Sequence, residues 1–412
     1  MKKLELLAPA GNILKMKTAF AYGADAVYLG IPDFSLRVRI NDFNLPKMRE
    51  AIEYAHQQGK KVYVTINIFA HNKHLQKLPP YLKELKKMKV DALIVSDPGV
   101  MGVIKKVWSG AEIHLSTQAN CTNLEAVKFW AKQGVRRIIL GREVTLQEIK
   151  EINRAVPKME LEYFVHGAMC MAYSGRCFLS KLLVNRSGNL GDCAQPCRWE
   201  YNLSTTGHPE ELELVAEQHG TYLLNSKDLC LLKYLKELKE AGITSFKIEG
   251  RAKSVYYQAM VCGIYSRSLE LISKKVSQIK LNKELNNLFK ELETKLVHRG
   301  YTSGFLLGGR GEQNINNSHQ KSDWEFCGQV IKTDKKQVFF QIHNTIKVGD
   351  EVEIIRPKYD IIKLKLDQLF TAQSGQLITE GHGGGGQQIG LLKLARDYHI
   401  PSLTVLRRKL KK

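Results

Sequence analysis

The first 250 residues alternate short apolar runs with amphipathic segments, a pattern typical of a chain that repeats strand and helix. Nine runs are predicted to be strands: Leu4–Ala8, Ala26–Leu29, Lys61–Asn67, Ala92–Ser96, Glu112–Ser116, Arg136–Leu140, Leu161–Val165, Tyr222–Asn225 and Ser245–Glu249. Four segments between them have apolar residues at helical spacing: Pro46–His56, Leu78–Met88, Asn123–Gln133 and Leu146–Ala155. This repetition predicts an α/β fold, a TIM-like (β/α) barrel.

Two features of the pattern qualify the barrel prediction. A TIM barrel has eight strands, so either one of the predicted strands is wrong or the barrel is irregular. A doubly wound open sheet is the alternative, but no GxGxxG motif follows the first strand. The closed barrel therefore remains the preferred fold.

The pattern changes twice after the barrel. Residues 1–255 are predicted to form the barrel, with an insertion at about 168–220, and residues 256–320 a helical, basic connecting region. Residues 321–395 alternate in the manner of a small β-barrel domain, with four predicted strands: Gly328–Ile331, Val338–Gln341, Glu351–Ile355 and Gln388–Leu392. Residues 396–412 end in LRRKLKK and are expected to be a disordered basic tail.

Polar and charged residues gather where the predicted barrel strands end, which is where barrels of this class carry their chemistry. Four are predicted to be catalytic: His166, Lys227, Glu249 and Arg251. Four are predicted to bind substrate: Asn67, Gln118, Asn120 and Arg142. Each has an alternative role in capping a helix or fixing a loop. His166 is the strongest candidate, because it adjoins the first cysteine loop and can donate or accept a proton.

Residues 160–197 hold four of the eight cysteines, in a segment rich in Gly, Ser and Asn: Cys170, Cys177, Cys193 and Cys197. Cys230 follows a later strand end, so the barrel is expected to bring it to the same group. Buried small hydrophobic residues and a structural zinc site are alternatives, although zinc sites favour closer pairs. An iron–sulfur cluster tolerates this spacing better. Disulfides are disfavoured, because the N-terminal residues do not resemble a signal peptide.

The charge balance is unusual, with 62 Lys and Arg against 41 Asp and Glu, a formal net charge of +21. Such a charge attracts polyanions and favours nucleic acid as a partner, although simple solubility also explains it. No apolar run reaches the ~18 residues that a membrane span needs. We therefore expect a cytoplasmic protein without a membrane partner. A homo-oligomer or a second, related subunit stays open.

The cysteine segment resembles a known signature. Residues 162–180 follow the pattern E-x-F-x-x-G-A-M-C-x(4)-G-x-C-x-L-S, which resembles that of the collagenase-like proteins of peptidase family U32. Further motifs resemble family motifs in family order: LLAPAGN (6–12), YGADAVYLG (22–30), HLSTQANCTN (114–123), GDCAQPCRWEY (191–201), LNSKDLC (224–230), FKIEGR (246–251) and HRGYTSGFLLG (298–308). The resemblance spans residues 4–310.

Within the family, LNSKDLC, FKIEGR, the C-terminal β-domain and the positive charge most resemble the tRNA-hydroxylating branch. That resemblance implies hydroxylation of the wobble uridine at carbon 5, with prephenate as cosubstrate and a 4Fe–4S cluster instead of molecular oxygen. The implied cluster ligands map onto Cys170, Cys177, Cys193 and Cys230, with Cys197 as the alternative to Cys193. Arg251 or Lys227 is expected to hold a carboxylate of prephenate.

Four other functions compete with tRNA hydroxylation. A ribosomal RNA cytidine hydroxylase would share the cluster and the charge. A family branch acting on ubiquinone precursors fits a net charge of +21 poorly. A collagenase-like protease is weaker still, because the chain has neither HExxH nor GxSxG. A non-catalytic RNA-binding protein would not need the grouped cysteines.

Overall fold

The structure is a computed structural model, in which residues 4–31, 33–36, 42–199, 201, 224–274, 276–309, 311–317, 319, 322–384 and 389–410 are described. The chain divides into two compact units. The barrel unit comprises Met1–Ile13, Asp25–Ala252 and Val297–Gln320, and the second unit comprises Leu14–Ala24, Lys253–Leu296 and Lys321–Lys412. No helix among the described residues is long and apolar enough to cross a membrane.

Ten strands belong to the barrel unit: β1 (Glu5–Pro9), β2 (Ala26–Leu29), β3 (Lys61–Ile66), β4 (Ala92–Val95), β5 (Ile113–Leu115), β6 (Arg137–Ile139), β7 (Glu160–Ala168), β8 (Asp228–Cys230), β9 (Ile243–Ile248) and β10 (Tyr301–Thr302). Strands β1 to β7 pair in chain order, β7 pairs with β9, and β9 pairs back to β1, all in parallel. This closure confirms the TIM-like barrel and excludes the open sheet. Strand β8 runs antiparallel to β7, and β10 pairs with β8.

One of the nine predicted strands is not part of the barrel. In the predicted strand Tyr222–Asn225, residues 222–223 lie outside the described residues, and Leu224 and Asn225 are not in a strand. The chain becomes extended only at β8, where it pairs antiparallel to β7 and so cannot take a place in the parallel barrel. The other eight predictions correspond to the eight barrel strands.

Helix α1 (Ile13–Ala21) follows β1 but lies almost wholly in the second unit. The described part of the barrel unit contains seven further helices: α2 (Leu45–Gln57), α3 (Asn72–Lys87), α4 (Pro98–Val107), α5 (Leu124–Lys132), α6 (Leu146–Ala155), α7 (Leu179–Val184) and α8 (Leu235–Ala241). Side-chain caps start several of them; Asp97 accepts from Val100 N at 2.9 Å, and Thr145 forms a capping box with Glu148. Helix α3 begins six residues before the predicted Leu78, because its cap lies at His71 and the prolines are tolerated inside it.

The interior of the barrel contains paired charges. Glu162 on β7 is fully buried, and its carboxylate accepts from Lys247 Nζ at 2.7 Å and from Arg137 Nη1 at 3.2 Å. Arg137 also pairs with Glu5 on β1, whose carboxylate accepts from the Tyr63 hydroxyl at 2.6 Å. Because an unpaired buried charge is costly, these side chains depend on one another and tie together five strands of the barrel.

In addition to α1, the described part of the second unit contains α9 (Val255–Ser273), α10 (Gln278–Lys295) and ten short strands. The strands are β11 (Trp324–Asp334), β12 (Gln337–Ile342), β13 (Ile346–Lys347), β14 (Glu351–Arg356), β15 (Asp360–Lys365), β16 (Leu369–Thr371), β17 (Leu377–Ile378), β18 (Glu380–Gly381), β19 (Ile389–Lys393) and β20 (Val405–Lys409). Eight form an antiparallel sheet in the order β15-β14-β20-β11-β12-β19-β16-β17, which confirms the predicted all-β region. Alternate side chains such as Val338, Phe340 and Ile342 form its core.

The prediction of a disordered tail at residues 396–412 is wrong for residues 405–409, which form strand β20; residues 411–412 lie outside the described residues. Strand β20 lies between β11 and β14, and Val405 is the register partner of both Gln329 and Ile355. The all-β region therefore does not end at residue 395. The predicted connecting region 256–320 is also divided, since Lys253–Leu296 belongs to the second unit and Val297–Gln320 to the barrel unit.

The basic residues of β20 are neutralised from other strands and helices. Arg407 is fully buried, and its guanidinium donates to Glu353 at 2.7 Å and to Glu291 at 2.6 Å. Lys295 binds the same two carboxylates, at 3.0 Å and 2.9 Å. Four buried or half-buried charges thus hold β14, β20 and α10 together, and the loss of one leaves the others without full compensation.

We expect Arg407→Ala to lower the free energy of unfolding of the full-length protein by about 3–5 kcal/mol, because it leaves two carboxylates short of their partner. Urea denaturation followed by circular dichroism measures the effect. Lys409→Ala is the matched control, since its side chain is 53% exposed on the same strand. Equal midpoints for the two variants would contradict a structural role for β20.

Candidate functional site

A cleft opens at the carboxyl ends of the barrel strands. Its polar lining comprises Thr65, Asn67, Ser116, Thr117, Gln118, Arg142, Glu143, Ser174, Lys247, Glu249 and Arg251. The remaining lining comprises Tyr28, Leu36, Ile94, Ile139, Phe164, Met169, Cys170, Ala172, Gly175, Gly188 and Phe305. Aromatic and aliphatic walls with a few polar groups are typical of a small-molecule site.

Six predicted site residues lie together in this cleft: Asn67, Gln118, Arg142, Cys170, Glu249 and Arg251. Six others do not line it: Asn120, His166, Cys177, Cys193, Lys227 and Cys230. His166 is buried, with its ring 5.5 Å from that of Tyr301. Lys227 forms an ion pair with Glu312 at 2.7 Å.

Amide side chains form one wall of the cleft. Asn67 donates to Gln118 Oε1 at 3.2 Å and accepts from Leu36 N at 3.3 Å. Arg176 holds this wall from outside by donating to the Gln118 main-chain oxygen at 2.8 Å. Asn120 has a left-handed backbone (φ 61°), and its buried Oδ1 has no hydrogen-bond partner among the described residues.

Lys247 lines the cleft although the sequence analysis did not single it out. The pKa of its ammonium group is lowered, because the effect of burial exceeds the opposing effect of the adjacent Glu162 carboxylate. Its Nζ lies 4.5 Å from the ring centre of Tyr28 and 5.3 Å from that of Phe164. The sequence did contain a signal for this residue. Glu162 and Lys247 are charged residues inside two predicted strands, and those strands become the neighbours β7 and β9 in the barrel.

Glu249 reaches the cleft because β7 and β9 approach closely at their ends. Glu249 N donates to His166 O at 2.8 Å. The next residue, Gly167, has a φ of 113°, and a Cβ added there would lie 2.5 Å from the Glu249 main-chain oxygen. Glycine is therefore required at this position by both backbone conformation and space.

Three cysteines of the predicted group lie within electrostatic range of Cys197. Burial is the largest cause of the raised pKa of Cys197, and the adjacent Arg198 opposes it. The thiols of Cys170, Cys193 and Cys177 also raise this pKa. Within the described part of the chain, however, no three His, Cys, Asp or Glu side chains are arranged closely enough to hold a metal ion.

The loops around these thiols are held by specific hydrogen bonds. Leu179 N donates to Cys177 Sγ at 3.4 Å, and Gln195 N donates to Cys193 Sγ at 3.3 Å. Arg198 donates to Met169 O at 2.5 Å, which ties the loop of Cys197 to the residue beside Cys170. Cys230 is buried on β8, as the register partner of His166.

The segment that carries the cysteines exposes an unusual number of aromatic side chains. Phe178 is 77% exposed, Tyr173 54% and Trp199 41%. Arg176 and Lys181, in the same segment, are also exposed. The segment contributes Ala172, Ser174 and Gly175 to the cleft, and Tyr173 and Arg176 adjoin these lining residues in the sequence.

Comparison with protein families identifies the chain. The family described as Peptidase family U32 matches residues 11–316, and Peptidase family U32 C-terminal domain matches residues 322–402. The chain belongs to peptidase family U32. The first match covers most of the barrel unit of this U32 protein and the cysteine segment, whereas the second ends before β20.

Several relatives match most of this U32 protein. "tRNA hydroxylation protein P1" of Bacillus subtilis (strain 168) is 37% identical over 385 residues, covering 92% of this chain and 90% of its own. "tRNA hydroxylation protein P" of Escherichia coli (strain K12) is 39% identical over 405 residues, 88% of each chain. A 23S rRNA 5-hydroxycytidine synthase of Escherichia coli is 33% identical over 86% of this chain and 52% of its own.

We expect Gly167→Ala to lower the thermal midpoint of the protein, because a methyl group at φ 113° meets the Glu249 carbonyl and strains the backbone by roughly 1–3 kcal/mol. Gly110→Ala is the control, since a Cβ at Gly110 meets no atom within 4 Å. Differential scanning calorimetry of both variants measures the effect. Equal midpoints would show that β9 is free to move away from β7.

Proposed function

We propose that this protein hydroxylates tRNA. The observation that carries the proposal is similarity at 37% and 39% identity, along about nine-tenths of each chain, to two proteins named for tRNA hydroxylation. Such coverage includes the barrel, the cysteine segment and the C-terminal region, so it exceeds a shared fold. The cleft supports the proposal, because barrels of this class carry their chemistry at the carboxyl ends of the strands.

We propose further that the base is the wobble uridine, that the hydroxyl is added at carbon 5, and that prephenate is the cosubstrate. The motifs LNSKDLC and FKIEGR support this finer assignment by their resemblance to the tRNA-hydroxylating branch. A loop base is easily turned out of its stack and can enter a cleft. Asn67 and Gln118 supply donors and acceptors that suit the edge of a uracil.

The family resemblance implies a 4Fe–4S cluster, and we propose that the cysteine group holds it after the thiols move closer together, since no three of the described side chains are close enough to hold a metal ion in this structure. The thiols supply the right donor atoms, Cys170, Cys177 and Cys193 each act electrostatically on Cys197, and amide N–H groups donate to two of the sulfurs. Cys170, Cys177 and Cys230 would hold the cluster, with Cys193 or Cys197 as the fourth ligand. When bound, the cluster would supply electron transfer or an open iron position for an oxygen-bearing ligand.

The exposed side chains of the cysteine segment have the chemistry of a single-stranded RNA surface. Three exposed aromatic side chains provide faces on which unpaired bases stack: Tyr173, Phe178 and Trp199. Arg176 and Lys181 supply positive charge for phosphates, and the net charge of +21 steers RNA towards the protein. An anticodon loop bound here would have its unstacked bases beside the cleft.

We expect 5-hydroxyuridine derivatives to disappear from total tRNA when the gene is deleted, and to return with the wild-type protein but not with Cys170→Ala. The strain must lack any oxygen-dependent enzyme that makes the same nucleoside. Nucleoside mass spectrometry of tRNA and ribosomal RNA is the measurement. Cys262→Ala is the matched control, because Cys262 is a buried core residue of α9 and should restore the modification fully.

The same experiment separates the competing functions. An unchanged tRNA profile overturns the proposal, and a missing hydroxycytidine in ribosomal RNA would replace it with the rRNA reaction. Restoration by Cys170→Ala would contradict a role for the cysteine group while leaving tRNA as substrate. Iron content of purified Cys193→Ala and Cys197→Ala then identifies the fourth ligand, because only loss of the true ligand should deplete iron.

We expect Phe178→Ala and Trp199→Ala each to weaken tRNA binding by about 1–3 kcal/mol, because each removes a stacking face for a base. Filter binding or fluorescence anisotropy at fixed salt measures the affinity. Phe129→Ala is the control, since Phe129 is also 54% exposed but lies on α5, outside the cysteine segment. A loss of affinity equal in all three variants would contradict a specific RNA surface on the cysteine segment.

A further inference from the structure

Three cations line the cleft, and two of them are engaged by the protein itself. Lys247 is neutralised by Glu162 at 2.7 Å. The guanidinium of Arg251 is buried and donates to Ser35 Oγ at 2.7 Å and to the main-chain oxygen of Leu36. Both side chains therefore already have partners that fix their positions.

Arg142 differs from these two cations. Its guanidinium carbon lies 4.1 Å from the ring centre of Phe164, so the group rests against an aromatic face. Its Nε is buried and has no hydrogen-bond partner, and its guanidinium forms no ion pair with any residue that the structure describes. The main chain around it is fixed, since the Tyr163 hydroxyl donates to Arg142 O at 3.0 Å.

A buried donor without an acceptor is unfavourable, and a positioned guanidinium without a counter-charge is a site for an anion. We propose that Arg142 binds a carboxylate group of a small organic acid, with the apolar body of the acid against Phe164, Ile139 and Phe305. The planar fork of the guanidinium matches a carboxylate with two parallel hydrogen bonds. This assignment replaces Arg251 and Lys227 as the expected carboxylate-binding residues.

The charges around Arg142 favour a carboxylate over a phosphate. Glu143 and Glu249 line the same cleft, and Glu143 is held there by a hydrogen bond from Ser174 N at 2.7 Å. Both carboxylates repel a dianionic phosphate more strongly than a singly charged group. One unneutralised guanidinium balances one carboxylate.

The identity of the acid as the cosubstrate rests on the proposed function, whereas the presence of the anion site does not. The ligand class is a carboxylic acid with a ring-sized apolar part, since aromatic and aliphatic side chains form the walls. Prephenate and phenylpyruvate are suitable probes, because both combine a six-membered ring with carboxylate groups that each carry one charge, two in prephenate and one in phenylpyruvate. Inorganic phosphate probes the alternative.

The test is isothermal titration of the purified, full-length protein, loaded with iron, with each of the three probes. Arg142→Gln should weaken prephenate binding at least about tenfold, the usual effect of losing a charge-assisted hydrogen bond. Arg142→Lys should give an intermediate loss, because it keeps the charge without the planar fork. Arg136→Gln is the control and should bind as wild type does, since Arg136 is 63% exposed at the start of β6.

Three results would overturn the proposal: unchanged prephenate affinity in a folded Arg142→Gln protein, no binding of either acid to wild type, or phosphate binding through Arg142 in place of the acids. These outcomes are separable from the fate of the proposed function. Acid binding through Arg142 in a protein that leaves tRNA unmodified would preserve the site and remove the hydroxylase. Intact tRNA modification with an unchanged KM for prephenate in Arg142→Gln would preserve the hydroxylase function and remove the proposed role of Arg142.

Discussion

The buried carboxylate of Glu162 is the interaction on which the barrel and the cleft both depend. It lies in the barrel interior, where an isolated charge is very costly, and it is balanced by Arg137 on one side and Lys247 on the other. Arg137 continues the pairing to Glu5 on β1, while Lys247 extends to the lining of the cleft. The charge network that stabilises the barrel therefore also determines the electrostatics of the site.

Strand β7 connects this buried charge to the cleft. Glu162 supplies the counter-charge for Lys247, and Phe164, two residues later on the same face, contacts Lys247 and Arg142 with its ring. Gly167 then allows β9 to approach and bring Glu249 to the rim. The strand ends at Ala168, two residues before Cys170, so one continuous segment links the barrel interior, the cleft and the first thiol.

The sequence predicted regular elements well, because periodicity is a local property. Helix α6 and strand β2 were predicted with their observed bounds, and closure of the barrel followed from the strand–helix repeat. Prediction failed where a distant partner decides the outcome. The motif LRRKLKK is typical of a solvated tail, and the sequence gives no local sign that Arg407 pairs with Glu353 and Glu291. Lys227 was predicted to follow a barrel strand, but it binds Glu312, a residue far along the chain.

The net charge of +21 and the chemistry of the cleft are separate matters. Among the described residues that line the cleft, three are cations and two are carboxylates, so the charge of these residues is close to balanced. The net charge of the whole chain favours association with a polyanion such as RNA. Within the cleft, discrimination depends instead on which cation is left without a counter-charge. Composition alone predicts the attraction of polyanions. The discrimination within the cleft is known only from the structure, in which Glu162 neutralises Lys247 and Arg142 is unpaired among the described residues.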